Sequence, residues 1–182
     1  EITAAEQVGV EGRGKFYDET GVLRDLVQNH LLQVMALFAM EPPVSFSPDD
    51  VRDQTAQVLH ALRPMDEFAV KTQAIRAQYR GYLDEPGVSP GSRTPTYTAL
   101  KMHLDTWRWQ GVPFYLRTGK ALSNKVTEVA VQFQSVPLSL FHREDSVLRV
   151  SPNRLVIRIQ PDEGISLGFS SKVPGDDLCL SD

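Results

Sequence analysis

A single cysteine, Cys179, is all the thiol chemistry in 182 residues. It cannot pair within the chain and leaves no second sulfur for a zinc cluster or redox pair, which points to a reducing compartment. Surplus positive charge is also missing. Nineteen Lys and Arg face 23 Asp and Glu, a formal net charge of -4, so no whole-surface field draws nucleic acid or anionic lipid, although a local cationic site can still meet a phosphorylated small molecule. Long apolar runs are absent as well: the longest, residues 31–40, is broken by Gln33 and is about half the length of a membrane span. Neither nucleic acid nor a membrane is therefore an expected partner. There is no GxSxG elbow, no CxxC and no GxGxxG after a strand. His60, His103 and His142 fall in unrelated segments without metal-ligand spacing, so no metal is expected. Trp107 and Trp109, on either side of Arg108, read as sheet-edge packing rather than as a stacking platform for bases.

What remains is ordinary for a folded protein: 41% hydrophobic and 23% charged residues, enough for one compact domain. The chain opens on Glu1 with no basic or apolar leader and reads as a piece of a longer protein. A possible strand at the start runs into a glycine-punctuated turn at 10–14, and Gly21 marks the approach to a helix. From 22 to 40, Val22, Leu23, Leu26, Val27, Leu31, Val34, Met35 and Phe38 follow the spacing of one buried helical face, which Pro42 and Pro43 terminate. Ser47, Pro48, Asp49 and Asp50 announce a second helix with Val51, Val58, Leu59 and Leu62 inward, stopped by Pro64. Residues 84–95 read as a long loop. Beyond it the apolar period shortens to two, at 98–104, 129–133, 155–160 and 165–169. Helices followed by strands predict an α+β fold with a mainly antiparallel sheet and helices packed on one face.

Few polar residues stand out. His30 lies four residues after Leu26 and four before Val34, on or beside the apolar helical face. It reads either as a core histidine satisfied by a neighbour or as a group that takes and returns a proton. Asp25, five positions earlier, is about 140° away around an α-helix and is not an obvious partner. Lys120 sits on the shoulder of the Thr118-Gly119 turn, as a solvated turn lysine or a point charge for phosphate. Arg158 and Gln160 share one face of a strand, and Glu6 reads as a surface carboxylate.

Three longer runs say more: Gly-Val-Glu-Gly-Arg-Gly-Lys-Phe-Tyr-Asp-Glu-Thr-Gly-Val-Leu-Arg-Asp-Leu-Val-Gln-Asn-His-Leu-Leu-Gln at 9–33, Trp-Arg-Trp-Gln-Gly-Val-Pro-Phe-Tyr-Leu-Arg-Thr-Gly-Lys-Ala-Leu at 107–122, and Asn-Arg-Leu-Val-Ile-Arg-Ile-Gln-Pro at 153–161. In this order they closely resemble glucose-6-phosphate dehydrogenases. The resemblance implies that residues 1–182 are part of a C-terminal substrate-binding and oligomerisation domain, without the dinucleotide-binding domain. It implies hydride transfer from C1 of glucose 6-phosphate to NADP, giving 6-phosphogluconolactone, the first oxidative step of the pentose phosphate pathway in the cytoplasm. On the same resemblance His30, in Gln-Asn-His, is the catalytic base. Glu6, Asp25, Lys120 and Gln160 contact substrate, as does Lys125, where the family often has arginine. Arg158 matches a contact to a second, structural NADP found in some members. A homodimer or homotetramer is implied, and the chain alone is expected to be inactive. The alternative is a non-catalytic domain on the same fold, for sugar-phosphate sensing or protein association.

Overall fold

The computed structural model describes residues 1–135, 151–172, 174 and 180–181; Cys179 and His142 lie outside the described residues. The chain divides into two compact units, Glu1–Thr127 and Glu128–Asp182.

In the first unit, β1 (Ile2–Ala5) leads through the glycine turn into α1 (Gly14–Val22), a π-helical segment (Leu23–Leu31) and α2 (Leu32–Ala39). Then come α3 (Pro48–His60), α4 (Glu67–Gln73), β2 (Ala74–Ala77), a 3-10 turn (Tyr82–Asp84), β3 (Tyr97–Met102) and β4 (Phe114–Gly119). The strands adjoin in the order β2-β3-β4-β1. The β2–β3 and β3–β4 pairs are antiparallel and β4–β1 is parallel. Strand β5 (Val126–Gln132) begins where the units meet in sequence. The second unit holds β6 (Arg154–Gln160) and β7 (Gly164–Gly168), paired antiparallel from Arg154↔Gly168 to Arg158↔Gly164, and a short ribbon of β8 (Ser171–Lys172) and β9 (Leu180–Ser181). The fold is α+β with a mainly antiparallel sheet, as the change of apolar period predicts.

The long helical face starts earlier than its apolar pattern suggests. Gly14 opens it, and Gly21, at φ 66°, kinks it; a φ of that sign suits glycine best. Through the π segment the buried positions recur every five residues, Val22 to Val27 and Leu26 to Leu31. In α2 they recur every four, Leu31 to Met35 to Ala39. A π turn closes i→i+5 hydrogen bonds, and Leu32 N–H indeed donates to Val27 O. This face packs over β1 and β4, whose inward residues include Ile2, Phe114 and Leu116. Trp109 fastens the end of α2: its Nε1 donates to Ala39 O at 2.8 Å and its ring meets Phe38 and Phe114 at 6.0 and 5.2 Å. Trp107, by contrast, is fully exposed.

Helix α3 has the expected cap, Ser47 Oγ accepting from Asp50 N at 3.2 Å with Pro48 in the first turn. Only Val58 of its apolar set is buried, and Leu59 faces out. Helix α4 and β2 carry no apolar pattern that announces them; no residue of α4 is buried.

The loop after the 3-10 turn is tied to α1 by Asp18. Its carboxylate accepts from Tyr82 Oη at 2.9 Å, from Ser89 N at 3.1 Å and from Ser92 Oγ, while its carbonyl accepts from Thr94 Oγ1 at 2.7 Å. The Ser92 hydroxyl is the main cause holding the Asp18 pKa down at about 2, against a partial desolvation that raises it. Asp18→Asn is expected to cost about 1.5–3 kcal/mol, the usual worth of hydrogen bonds to a charged group. Because the folded pKa is depressed, this contribution is complete above the ordinary carboxylate value of about 4. It disappears as the pH falls toward about 2. Urea midpoints of wild type and variant across pH 2–7 check this: the gap should close on the acid side, and a pH-independent gap would reject the assignment.

Candidate active site

The parallel register of β1 with β4 sets Ala5 opposite Gly119. The next residue on each strand is therefore Glu6 beside Lys120, at the carboxyl ends of two adjacent parallel strands, where open sheets commonly take ligands. Main-chain bonds lock the pair in place: Glu6 N donates to Gly119 O at 3.0 Å, Leu122 N to Glu6 O at 2.9 Å, and Lys120 N to Thr96 O at 3.0 Å. Gly119 is obligatory on steric grounds, since a Cβ there would meet the Tyr97 ring at 2.8 Å and Thr96 O at 3.1 Å.

Lys120 is no solvated turn lysine. Its side chain is 3% exposed, with Nζ donating to Glu6 Oε2 at 2.5 Å and lying 3.8 Å from Asp25 Oδ2. Tyr17, missing from the sequence candidates, lies beneath it with the ring centroid 5.4 Å from Nζ. The Tyr17 hydroxyl is buried without a hydrogen-bond partner among the described residues, and burial, then the charge of Asp25, raises its pKa. Edge-on contacts of Tyr82 with Tyr17 and Tyr79, beside Val10, hold this floor rigid. No local signal marks Tyr17; it reaches Lys120 only because α1 docks beside the end of β4.

Glu6 and Asp25 keep roughly a third and a quarter of their side chains open to solvent, 34% and 27%. One fixed, buried ammonium thus lies between two carboxylates that remain partly open to a ligand, and the three together are net negative. That is an arrangement for hydroxyl groups, which both give and take hydrogen bonds.

His30 is exposed, so the core-filler reading fails. It belongs to the π segment, and there the expected separation from Asp25 changes. A π turn takes a little over four residues, so five residues bring His30 back to within roughly 50° of Asp25, instead of the 140° of an α-helix. The helix thereby presents both on the same side. Lys125 is exposed in the loop before β5 and makes no ion pair among the described residues. Arg158 and Gln160 stand exposed on β6 in the second unit, two residues apart and so on one face.

The glycine turn that joins β1 to α1 is filled by protein: a Cβ on Gly14 would meet Pro86 O at 2.3 Å, and one on Gly9 would meet Tyr79 Oη at 2.9 Å. Gly9 and Gly14 serve close approach of the 79–88 segment, whereas Gly12, at φ 75°, serves the turn itself. No helix is long and apolar enough to cross a membrane among the described residues.

Known proteins resemble this chain in sequence and in overall fold. Glucose-6-phosphate 1-dehydrogenases of Treponema pallidum and Aggregatibacter actinomycetemcomitans are 49% and 48% identical over 96% of the chain. That of Bacillus subtilis is 43% identical. The chain spans about a third of their length, 36–37%. A crystal structure of glucose-6-phosphate 1-dehydrogenase from Mycobacterium avium superposes with a TM-score of 0.86 at 48% identity, over 99% of this chain and 39% of that one. A glucose-6-phosphate dehydrogenase in complex with its substrate glucose-6-phosphate gives 0.87 at 38% identity, over 99% of this chain and 37% of that one. The model of the family described as "Glucose-6-phosphate dehydrogenase, C-terminal domain" matches residues 1–182, and it is to this family that the chain belongs.

Proposed function

We propose that the full-length protein carrying this chain oxidises glucose 6-phosphate at C1 to 6-phosphogluconolactone with NADP as hydride acceptor, and that residues 1–182 supply the sugar-binding face and the base. The observation that carries this is the cluster of Glu6, Lys120 and Asp25 at the strand ends, with exposed His30 one π turn from Asp25. Lys120 donates to a sugar hydroxyl while Glu6 and Asp25 accept from others, so that the ring is held in one orientation. The cluster is net negative, which suits the hydroxyl-rich ring better than the phosphate. His30 takes the C1 hydroxyl proton as hydride leaves C1; the O–H electron pair becomes the new C=O bond, and no protonated lactone accumulates.

Lys125 is assigned a further substrate contact, as is Gln160, and Arg158 a contact to a structural NADP. The hydride acceptor is assigned mainly to the rest of the full-length protein. Ile165, Leu167 and Phe169 alternate on one face along and just beyond β7 and remain exposed, which supports a homodimer or homotetramer. The reaction belongs to the oxidative pentose phosphate pathway, and the cytoplasm is its place.

The direct test is NADPH formation. Purified full-length protein should reduce NADP with glucose 6-phosphate, and the isolated 182 residues should not. Folded full-length protein that leaves NADP oxidised would overturn the reading.

A further inference from the structure

Between the end of α4, the strand β2 and the loop leading into β3 lies an open cleft of about 530 Å³, lined by Val70, Lys71, Ala74, Arg76 and Arg93. None of these five side chains can accept a hydrogen bond. Three are cations and two are small apolar walls. Arg52, Arg63, Arg108 and Arg117 each hold a carboxylate. Lys71, Arg76 and Arg93 hold none among the described residues.

The backbone beneath each charge is nevertheless fixed. Asp66 caps α4 by accepting from Ala69 N at 2.7 Å. Arg76 pairs in register with Thr98, whose Oγ1 donates to Ile75 O at 2.9 Å. The Gln78 side chain donates to the carbonyls on both sides of Arg93, Ser92 O at 2.8 Å and Thr94 O at 3.0 Å. Three like charges are thus brought to one cleft from three anchored positions, with no acid among the lining residues; Glu67, one turn before Lys71 on α4, makes no ion pair with it. An anion would offset their repulsion, and two guanidinium forks match phosphate oxygens in pairs. The walls offer no aromatic face for a nucleobase.

We propose that this cleft binds a small anion carrying two or three linked phosphates, at a site separate from the Lys120 cluster. Inorganic tripolyphosphate and the phosphate tail of a nucleotide share that chemistry. The probes are therefore tripolyphosphate and ATP without divalent cations, titrated calorimetrically into the full-length protein saturated with glucose 6-phosphate. Both should bind a common site with similar affinity, weakened at least tenfold by the double change Arg76→Gln, Arg93→Gln, with KM for glucose 6-phosphate unchanged. Lys71→Gln alone should weaken it severalfold, which gives a second reading if the double variant fails to fold. Binding that is equally tight in the variants would overturn the proposal. So would ATP binding without tripolyphosphate binding, since the base and not the phosphates would then be recognised.

Discussion

His30→Asn in the full-length protein is expected to lower kcat by about 10²- to 10⁴-fold, the usual contribution of a general base. Thermal stability should hardly move. His30 is exposed on the π segment, where asparagine leaves the buried positions Leu26, Val27 and Leu31 untouched, and surface changes of this kind fall within about 0.5 kcal/mol. KM should change far less than kcat, because substrate binding is assigned to Glu6, Asp25, Lys120, Lys125 and Gln160 rather than to His30. The pH profile separates a base from a residue that merely positions substrate. A neutral imidazole is the active form, so wild-type kcat/KM should fall on the acid side, and that limb should vanish or move in the variant. A folded His30→Asn protein with near-normal kcat would remove the base from this chain, and with it the catalytic reading of the Gln-Asn-His motif.

Lys120→Ala should raise KM for glucose 6-phosphate by about 10- to 100-fold, corresponding to about 1.5–3 kcal/mol for a charge-assisted hydrogen bond. The loss should be larger than for an exposed lysine, because Nζ is fixed between Glu6 and Asp25 and shielded from water. Stability should fall too: Glu6 keeps its charge but loses its pair, and a space opens above the Tyr17 ring. Denaturant unfolding measures that part separately, and KM is read on the folded protein. Glu6→Gln, which keeps an acceptor for the sugar and for Lys120, should raise KM less than Lys120→Ala. An unchanged KM in Lys120→Ala would reduce the cluster to a structural ion pair.

Some of this was legible from residue order because its causes are local. The cap of Ser47 on α3, the stop at Pro42 and Pro43 and the alternation along β3, β5 and β6 each depend on a few neighbouring residues. Helix α4 and β2 were not legible, since α4 buries nothing and β2 is short, and an apolar period exists only where one face meets a core. Arg76 and the cleft around it went unread for the same reason.

The site was only half visible. Residue types and their match to a known family pointed to His30, Asp25, Glu6 and Lys120, but not to how the last three meet. A helix of this composition can wind with four or five residues between buried positions. Packing of Val22, Val27, Leu26 and Leu31 over β1 and β4 selects five, and so turns Asp25 and His30 to one side. Lys120 reads as solvated in any local window. Only the parallel pairing of β1 with β4, between segments far apart in the chain, seats it against Glu6 and under Asp25. The sequence by itself determined the α+β class, the helix caps and the residue types available for chemistry, because turn preferences, side-chain period and protonation are properties of short stretches. The tertiary structure alone decided which of those residues lie together and which is shielded from water, because strand register and helix docking are settled by contacts that no short stretch contains.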